Sequence, residues 1–535
     1  MRTSNFRQMA SLLLALAILP LATLVAEETT QKARGTVYLD ANGNEKFDEG
    51  EKPLAGIKVS NGREIVTTSD AGKYEIAVDD DDIVFVLKPR GYRTPLSEDK
   101  LPRFYYIHKP KGSPPSKFPG VAPTGPLPAE INFALYEQPE PDHFKAILFG
   151  DPQPRNQQEV EYIGHDVVQE LIGTDASFGV TLGDIAFNNL DTFETLNKTI
   201  ALIGIPWYNV IGNHDINFEA KHDGHSDETF ERVYGPPYYS FDFGQVHFIV
   251  LDDIEWYIPR ENGEGEYRGG LGDEQIQFIK NDLAMIPQEQ MVVLMMHIPI
   301  VGVRDREQVY RLIEKRPFCI SISGHTHHHE HRYIKKKDGW LGPEPHHHII
   351  NVTVCGGWWS GAPDERGIPH ANMADGAPNG YSIISFDGTK YTLDYKAAGR
   401  PADYQMEIVA PNAVPAADLA NTMVYVDLFN GSERSRVEIS LDGETWQPLE
   451  RSVEIDPGQQ AVADREAAIL AKSPDAFRQQ PRPKPSTHLW KGTLSAQGNL
   501  PPGIHLLRVR GTDVNGKEHK AQRAIRILAP QQAAG

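Results

Sequence analysis

The strongest constraint on this chain is a series of five short polar motifs between residues 151 and 327, each set where an apolar, strand-like run ends. In order they are Asp151-Pro152-Gln153, Gly183-Asp184, Gly212-Asn213-His214-Asp215, His297, and Gly324-His325-Thr326-His327. The runs before them cover 144–149, 178–182, 208–211, 291–296 and 318–323, with a further run at 246–251. Between them, Val160, Ile163, Val167 and Leu171, then Phe193, Leu196, Ile200 and Ile203, recur at helical spacing. Strands alternating with helices predict an α/β layer fold. One carboxylate after a strand is ordinarily a turn or helix cap. Five such motifs in series require another reason.

Two divalent cations a few ångströms apart need carboxylate or amide oxygens mixed with imidazoles, and one carboxylate to bridge them. The series supplies that inventory. Asp151, Gln153, Asp184 and His327 are expected to hold one ion, and Asp184, Asn213, His297 and His325 the other. Glycine before Asp184, Asn213 and His325 is expected to let the backbone turn tightly. His214 is left over, free to contact a phosphate and to protonate a leaving oxygen.

These motifs resemble those of the calcineurin-like metallophosphoesterase superfamily, whose pattern is Asp-x-His, Gly-Asp, Gly-Asn-His-Asp/Glu, His and Gly-His-x-His. The resemblance covers residues 144–396. It implies an α/β fold of two sheets sandwiched together and flanked by helices, and the ligand set given above. It also implies hydrolysis of a phosphate mono- or diester by hydroxide held between two metals of the manganese, iron or zinc type. Gln153 stands where most members carry histidine, and an amide oxygen binds more weakly. Phe187 stands where purple acid phosphatases carry an iron-binding tyrosine, which argues against a tyrosinate–iron centre.

On both sides of this segment the texture is β-type. Runs at 35–39, 56–60, 74–78 and 83–87 predict a small antiparallel sandwich over 34–137, ended by proline-rich sequence. The catalytic segment is assigned to 142–398. Runs at 424–428, 437–440, 505–509 and 524–527 predict a second sandwich over 400–530, interrupted at 458–486 by an insertion with a surface helix. Bacterial three-domain members of the superfamily have a similar layout, including the glycine-rich loop 355–381. That loop carries Trp358, Trp359 and Asp375, candidates for closing over a substrate; burial of the tryptophans at a domain contact is the alternative.

In the first sandwich Asp40, Asn42, Asn44, Asp48 and Glu51 fall at positions 1, 3, 5, 9 and 12 of a calcium-loop spacing. This segment, with Gly72-Lys73-Tyr74, is similar to the B-type repeats of bacterial surface adhesins. Glu45 occupies the position that normally needs glycine, so the loop is either a weak calcium site or a hydrogen-bonded turn. His328, His329 and His331, then His346, His347 and His348, are read as loop and strand-end histidines, some exposed, rather than a third metal site.

Residues 1–26, with Arg2 and Arg7 before an apolar run that ends at Ala26, predict an export signal, and hence a periplasmic or extracellular protein; an uncleaved anchor is the alternative. No later run approaches the length of a membrane span. Lys plus Arg number 53 against 73 Asp plus Glu, a net charge of −20, which disfavours long nucleic acid and anionic membrane as main partners; the small phosphate-ester substrate is what the resemblance implies. Cys319 and Cys355 either bridge neighbouring strands or remain free. The competing functional class is an exported adhesion or glycan-binding protein that keeps an inactive fold.

Overall fold

The computed structural model describes residues 31–259, 263–494 and 500–529, so the expected export signal lies outside the described residues. The apolar runs of the middle segment form two sheets packed face to face. One has the spatial order Trp207–Val210, Phe178–Leu182, His143–Phe149, Gly380–Asp387, Lys390–Ala397. The other runs Tyr239–Phe243, Val246–Val250, Met291–Met295, Cys319–Ser323, His346–Ile350, Glu330–Ile334.

Strands buried on both faces read as continuous apolar runs because alternate side chains serve different cores. In His143–Phe149, Ala146 and Leu148 enter the core between the sheets, while Ile147 and Phe149 face helix residues Val160, Ile163, Phe193 and Leu196. Phe178 anchors the inter-sheet core, its ring centroid 5.7 Å from Tyr208, 5.6 Å from Phe241 and 5.4 Å from Phe248. Fully burying such a side chain is worth about 1.5–3 kcal/mol, so this layer stiffens the strand ends above it.

His143–Phe149, Phe178–Leu182 and Trp207–Val210 are mutually parallel, as are Val246–Val250, Met291–Met295 and Cys319–Ser323. Their carboxyl ends carry all five motifs at one rim, where open α/β sheets commonly place ligands. The first helical pattern forms Gln157–Ile163, passes through one wider turn at Gly164–Val168 and ends at Gln169–Leu171. The second forms Thr192–Ala201.

The N-terminal domain is not wholly antiparallel as expected: Gln31–Leu39 pairs in parallel with Phe133–Glu137. The strands from Lys52–Pro53 to Tyr105–His108 and the proline-rich stretch after them lie between the two, so the chain crosses the domain before it returns. Ile83, Phe85, Leu87 and Phe104 of this domain join the inter-sheet core, so it is packed onto the catalytic layers. The C-terminal domain consists of a four-stranded and a five-stranded sheet around Val426, Trp490 and Val509, and its insertion carries the helix Pro457–Leu470.

Candidate metal centre

Each of the seven expected ligands lies at the common rim. Asp151, Gln153, Asp184, Asn213, His297 and His327 are buried, and His325 is partly exposed. The tight turns fall on the ligands themselves: φ is +40° at Asp151, +47° at Gln153, +48° at Asp184, +75° at His325 and +53° at His327. Such left-handed residues are costly and persist only where the surroundings hold them, typically at functional sites. The preceding glycines therefore act in part differently from the expectation. Gly183 is left-handed, but Gly212 and Gly324 are needed for close approach: a Cβ at Gly212 would lie 2.0 Å from the Asp184 nitrogen, and one at Gly324 2.3 Å from Asp151 Oδ1.

Asp184 is the centre of the arrangement. Its Oδ2 accepts from Gln153 Nε2 at 2.9 Å and lies 3.3 Å from His297 Nε2. On one side His327 Nε2 is 3.4 Å from Asp151 Oδ2. On the other, His297 Nε2 lies 3.1 Å from both Asn213 Oδ1 and His325 Nδ1. The far nitrogens of two ligand imidazoles are tied back to backbone carbonyls, His297 Nδ1 to Leu182 at 2.9 Å and His327 Nδ1 to Gly356 at 2.6 Å. This is how a metal-binding histidine is usually oriented.

The donor set fits metal ions. Asp184, His297 and His325 each offer an atom within 4.8 Å of the other two. Two imidazole nitrogens 3.1 Å apart need a proton or a cation between them. Protonation divides accordingly: burial opposes charge on His297, but the Asp184 carboxylate carries it up to about 10, while burial and His297 hold His325 down at about 4. Gln153 departs from the expected pose. Its nitrogen faces Asp184 and its oxygen faces Cys355 Sγ at 3.5 Å, so coordination requires a half-turn of the amide.

His214 stands beside the cluster, with its backbone N–H on Asp184 Oδ1 at 2.9 Å and its Nδ1 on Asn188 Oδ1 at 2.5 Å. Its ring stacks on Phe187 at 4.5 Å, and the Arg155 guanidinium lies over the Phe187 ring at 4.4 Å. Burial lowers its pKa.

Four contributors were not assigned a role from sequence. Asn188 orients His214. Asp215 accepts from the backbone nitrogens of Ile185, Ala186 and Gly212 at 2.8–3.0 Å, stapling two ligand loops together. Asp253 accepts from the backbone nitrogens of His297 and Ile298, both at 3.1 Å, and burial raises its pKa to about 7. Its place after the strand Val246–Val250 was the available signal. Cys355, unpaired like Cys319, sits 3.7 Å from His327 Nδ1.

The glycine-rich loop divides. Trp358 is partly exposed and lies over His327 at 4.2 Å. Trp359 and Asp375 are buried rather than poised over a substrate. Trp359 donates to the Pro152 carbonyl at 3.0 Å, and Asp375 joins His488 Nε2 at 3.0 Å and the His329 nitrogen at 2.9 Å, where the C-terminal domain docks. The histidine runs are more enclosed than expected. His346 and His348 share Ser321, and His329 and His331 share Asn430 Oδ1 at 3.2 and 2.8 Å. Among the described residues they form no metal-ligating group.

In the 40–51 loop Asp40 accepts from the Gly43 and Glu45 nitrogens and from Tyr136 Oη, at 2.7–2.8 Å. Asn42 and Asn44 donate to Asp48 Oδ2, and Glu51 accepts from the Ala41 and Asp48 nitrogens. Glu45 adopts φ +59° without being glycine.

Family models match in three successive blocks: the N terminal of calcineurin-like phosphoesterase over 41–119, calcineurin-like phosphoesterase over 144–329, and the C terminal of calcineurin-like phosphoesterase over 348–519. The chain belongs to the calcineurin-like phosphoesterases. It is 24% identical over 157 residues to the probable glycerophosphodiester phosphodiesterase GpdQ of Arcobacter nitrofigilis, a match covering 27% of this chain and 54% of that protein. The chain thus spans about half the length of that curated relative. Among solved structures, purple acid phosphatase PPD1 from yellow lupin (Lupinus luteus) seeds matches at 14% identity and TM-score 0.35, over 64% of this chain and 67% of that one.

Proposed function

We propose that this chain hydrolyses small phosphate mono- or diesters at a two-metal centre and that it does so outside the cytoplasm. The observation that carries the proposal is the position of Asp184, whose Oδ2 faces Gln153 on one side and His297 on the other, so that one carboxylate serves both halves. When bound, the ions supply positive charge for phosphoryl oxygens and acidify water near neutral pH.

The chain's own groups do the rest. Asp151 and His327, with Gln153 after its amide turns, would hold one ion, and Asn213, His297 and His325 the other. Asn188 Oδ1 accepts from Nδ1–H of His214, which leaves Nε2 to meet a phosphoryl or leaving oxygen; the doubly protonated ring hands that oxygen its Nε2 proton and keeps the one on Nδ1. Phe187 and Arg155 keep that ring from turning away. Trp358, lying over His327, forms an apolar wall for the group attached to the phosphate. The 40–51 loop is proposed as a weak calcium site, reached when the Asn42 and Asn44 amides turn their oxygens inward.

The test is a panel of aryl mono- and diesters, nucleotides and glycerophosphodiesters, assayed with manganese, zinc and iron separately. Metal-dependent turnover of at least one ester, abolished by Asp184→Asn, is the expected result. Two bound metals without turnover of any ester would instead favour a binding protein.

A further inference from the structure

Among the described residues a second convergence of ligand-type side chains lies outside this centre, at the seam between the N-terminal and catalytic domains. Asp81 comes from the turn between the strands Lys73–Val78 and Asp82–Val86. His225 and Glu228 come from the segment that follows the Gly212-Asn213-His214 loop, with Glu228 opening the helix Glu228–Tyr234. One atom of each lies within 4.8 Å of the other two.

We propose that Asp81, His225 and Glu228 form a further divalent-cation site, of the mixed carboxylate and imidazole type that takes zinc, joining the two domains. The Glu228 side chain is 2% exposed, and its Oε1 has no hydrogen-bond partner while lying 4.0 Å from His225 Nε2. A buried carboxylate oxygen left bare is rare and asks for an occupant. Its other oxygen is taken by Lys109 Nζ and Ser113 Oγ.

Charge points the same way. Lys109 Nζ is shared among Asp81 at 2.5 Å, Glu228, and Glu231 at 3.1 Å, so a single ammonium faces three carboxylates. The His222 and His225 rings lie 3.9 Å apart, centroid to centroid.

Zinc ligands sit about 2.0–2.2 Å from the ion, so modest rotation of Asp81 and His225, both accessible to solvent, closes the site around Oε1. A cleft of about 430 Å³ lined by His222, His225 and Glu228 provides the entry path. Glu231 remains as a partner for Lys109 when the ion arrives.

The experiment measures zinc stoichiometry by equilibrium dialysis and mass spectrometry on the full-length protein, alone and with His225→Ala, Asp81→Asn or Glu228→Gln. The same series is repeated in the Asp184→Asn background, which weakens the catalytic cluster. His225→Ala is the leading variant, because His225 is partly exposed and its loss leaves the Lys109 contacts intact. The expected result is one zinc fewer per chain in each seam variant than in its parent, in both backgrounds, with phosphoesterase turnover by His225→Ala unchanged at saturating metal. Stoichiometry equal to the parent in His225→Ala and Asp81→Asn would overturn the proposal, as would loss of zinc only where the catalytic ligand is also changed.

Discussion

The strand-end rim around Asp184 and the 40–51 loop of the N-terminal domain both offer side-chain oxygens at tight turns, but they hold them differently. At the rim, His297 and His327 are tied from behind by the Leu182 and Gly356 carbonyls, and Asp253 and Asp215 grip the backbone of the ligand loops. The side-chain atoms left facing inward are nitrogens and oxygens that need a cation among them. In the loop the donors satisfy one another, with Asp40 on backbone nitrogens and Asp48 on two amides. A site preorganised against its own comfort binds metal strongly, whereas a self-satisfied loop must first break its internal bonds.

The largest effect that can break this contrast is expected from Asp184→Asn, which removes the carboxylate proposed to be shared by both halves. Turnover should fall by more than the roughly 10²–10⁴-fold typical of losing a general acid, and metal content should fall with it. Retention of both metals and of activity would remove the basis for a shared ligand. His214→Ala comes next, with kcat lowered by about 10²–10⁴ while bound metal, read by mass spectrometry, stays at the parent level. An unchanged kcat would exclude His214 from proton transfer.

A smaller loss, about 10–100-fold in kcat, is expected for Asn188→Ala, because it only frees the His214 ring to rotate. Wild-type rates in this variant would mean that Phe187 and Arg155 suffice to position it. Gln153→His should raise affinity for the first ion by about tenfold, since imidazole is the stronger ligand, and a metal titration followed by activity reads this directly. Weaker binding would indicate that the Cys355 side of Gln153 matters more than its donor strength. Smallest is the loop: millimolar calcium should raise Tm by about 2 °C, as a weak ligand near tenfold excess over its Kd does. The shift should vanish in Asp48→Asn, and its absence in the parent would leave the loop a plain turn.

Much of the rim was legible because a parallel strand buried on both faces announces itself as an apolar run, and its end fixes where the next polar residue must sit. Asp151, Asp184, Asn213, His297 and His325 could be read this way, and Asp253 followed the same rule but lacked a histidine neighbour to mark it. Asn188 and Cys355 could not be read: their partners His214 and Gln153 lie 26 and 202 residues away in sequence. Asp375 misled for the same reason. A carboxylate in a glycine-rich loop resembles a substrate contact until the chain brings His488, 113 residues on, against it.

What the sequence determined by itself was the order of elements and the chemistry available at their ends, because periodicity and side-chain type are local properties. Tertiary structure alone decided which nitrogen of each histidine faces inward, that Gln153 shows its amide nitrogen to Asp184, and that Asp81 meets His225 and Glu228 across a domain seam. Those outcomes depend on long-range packing, where the burial of one side chain selects the partner of another.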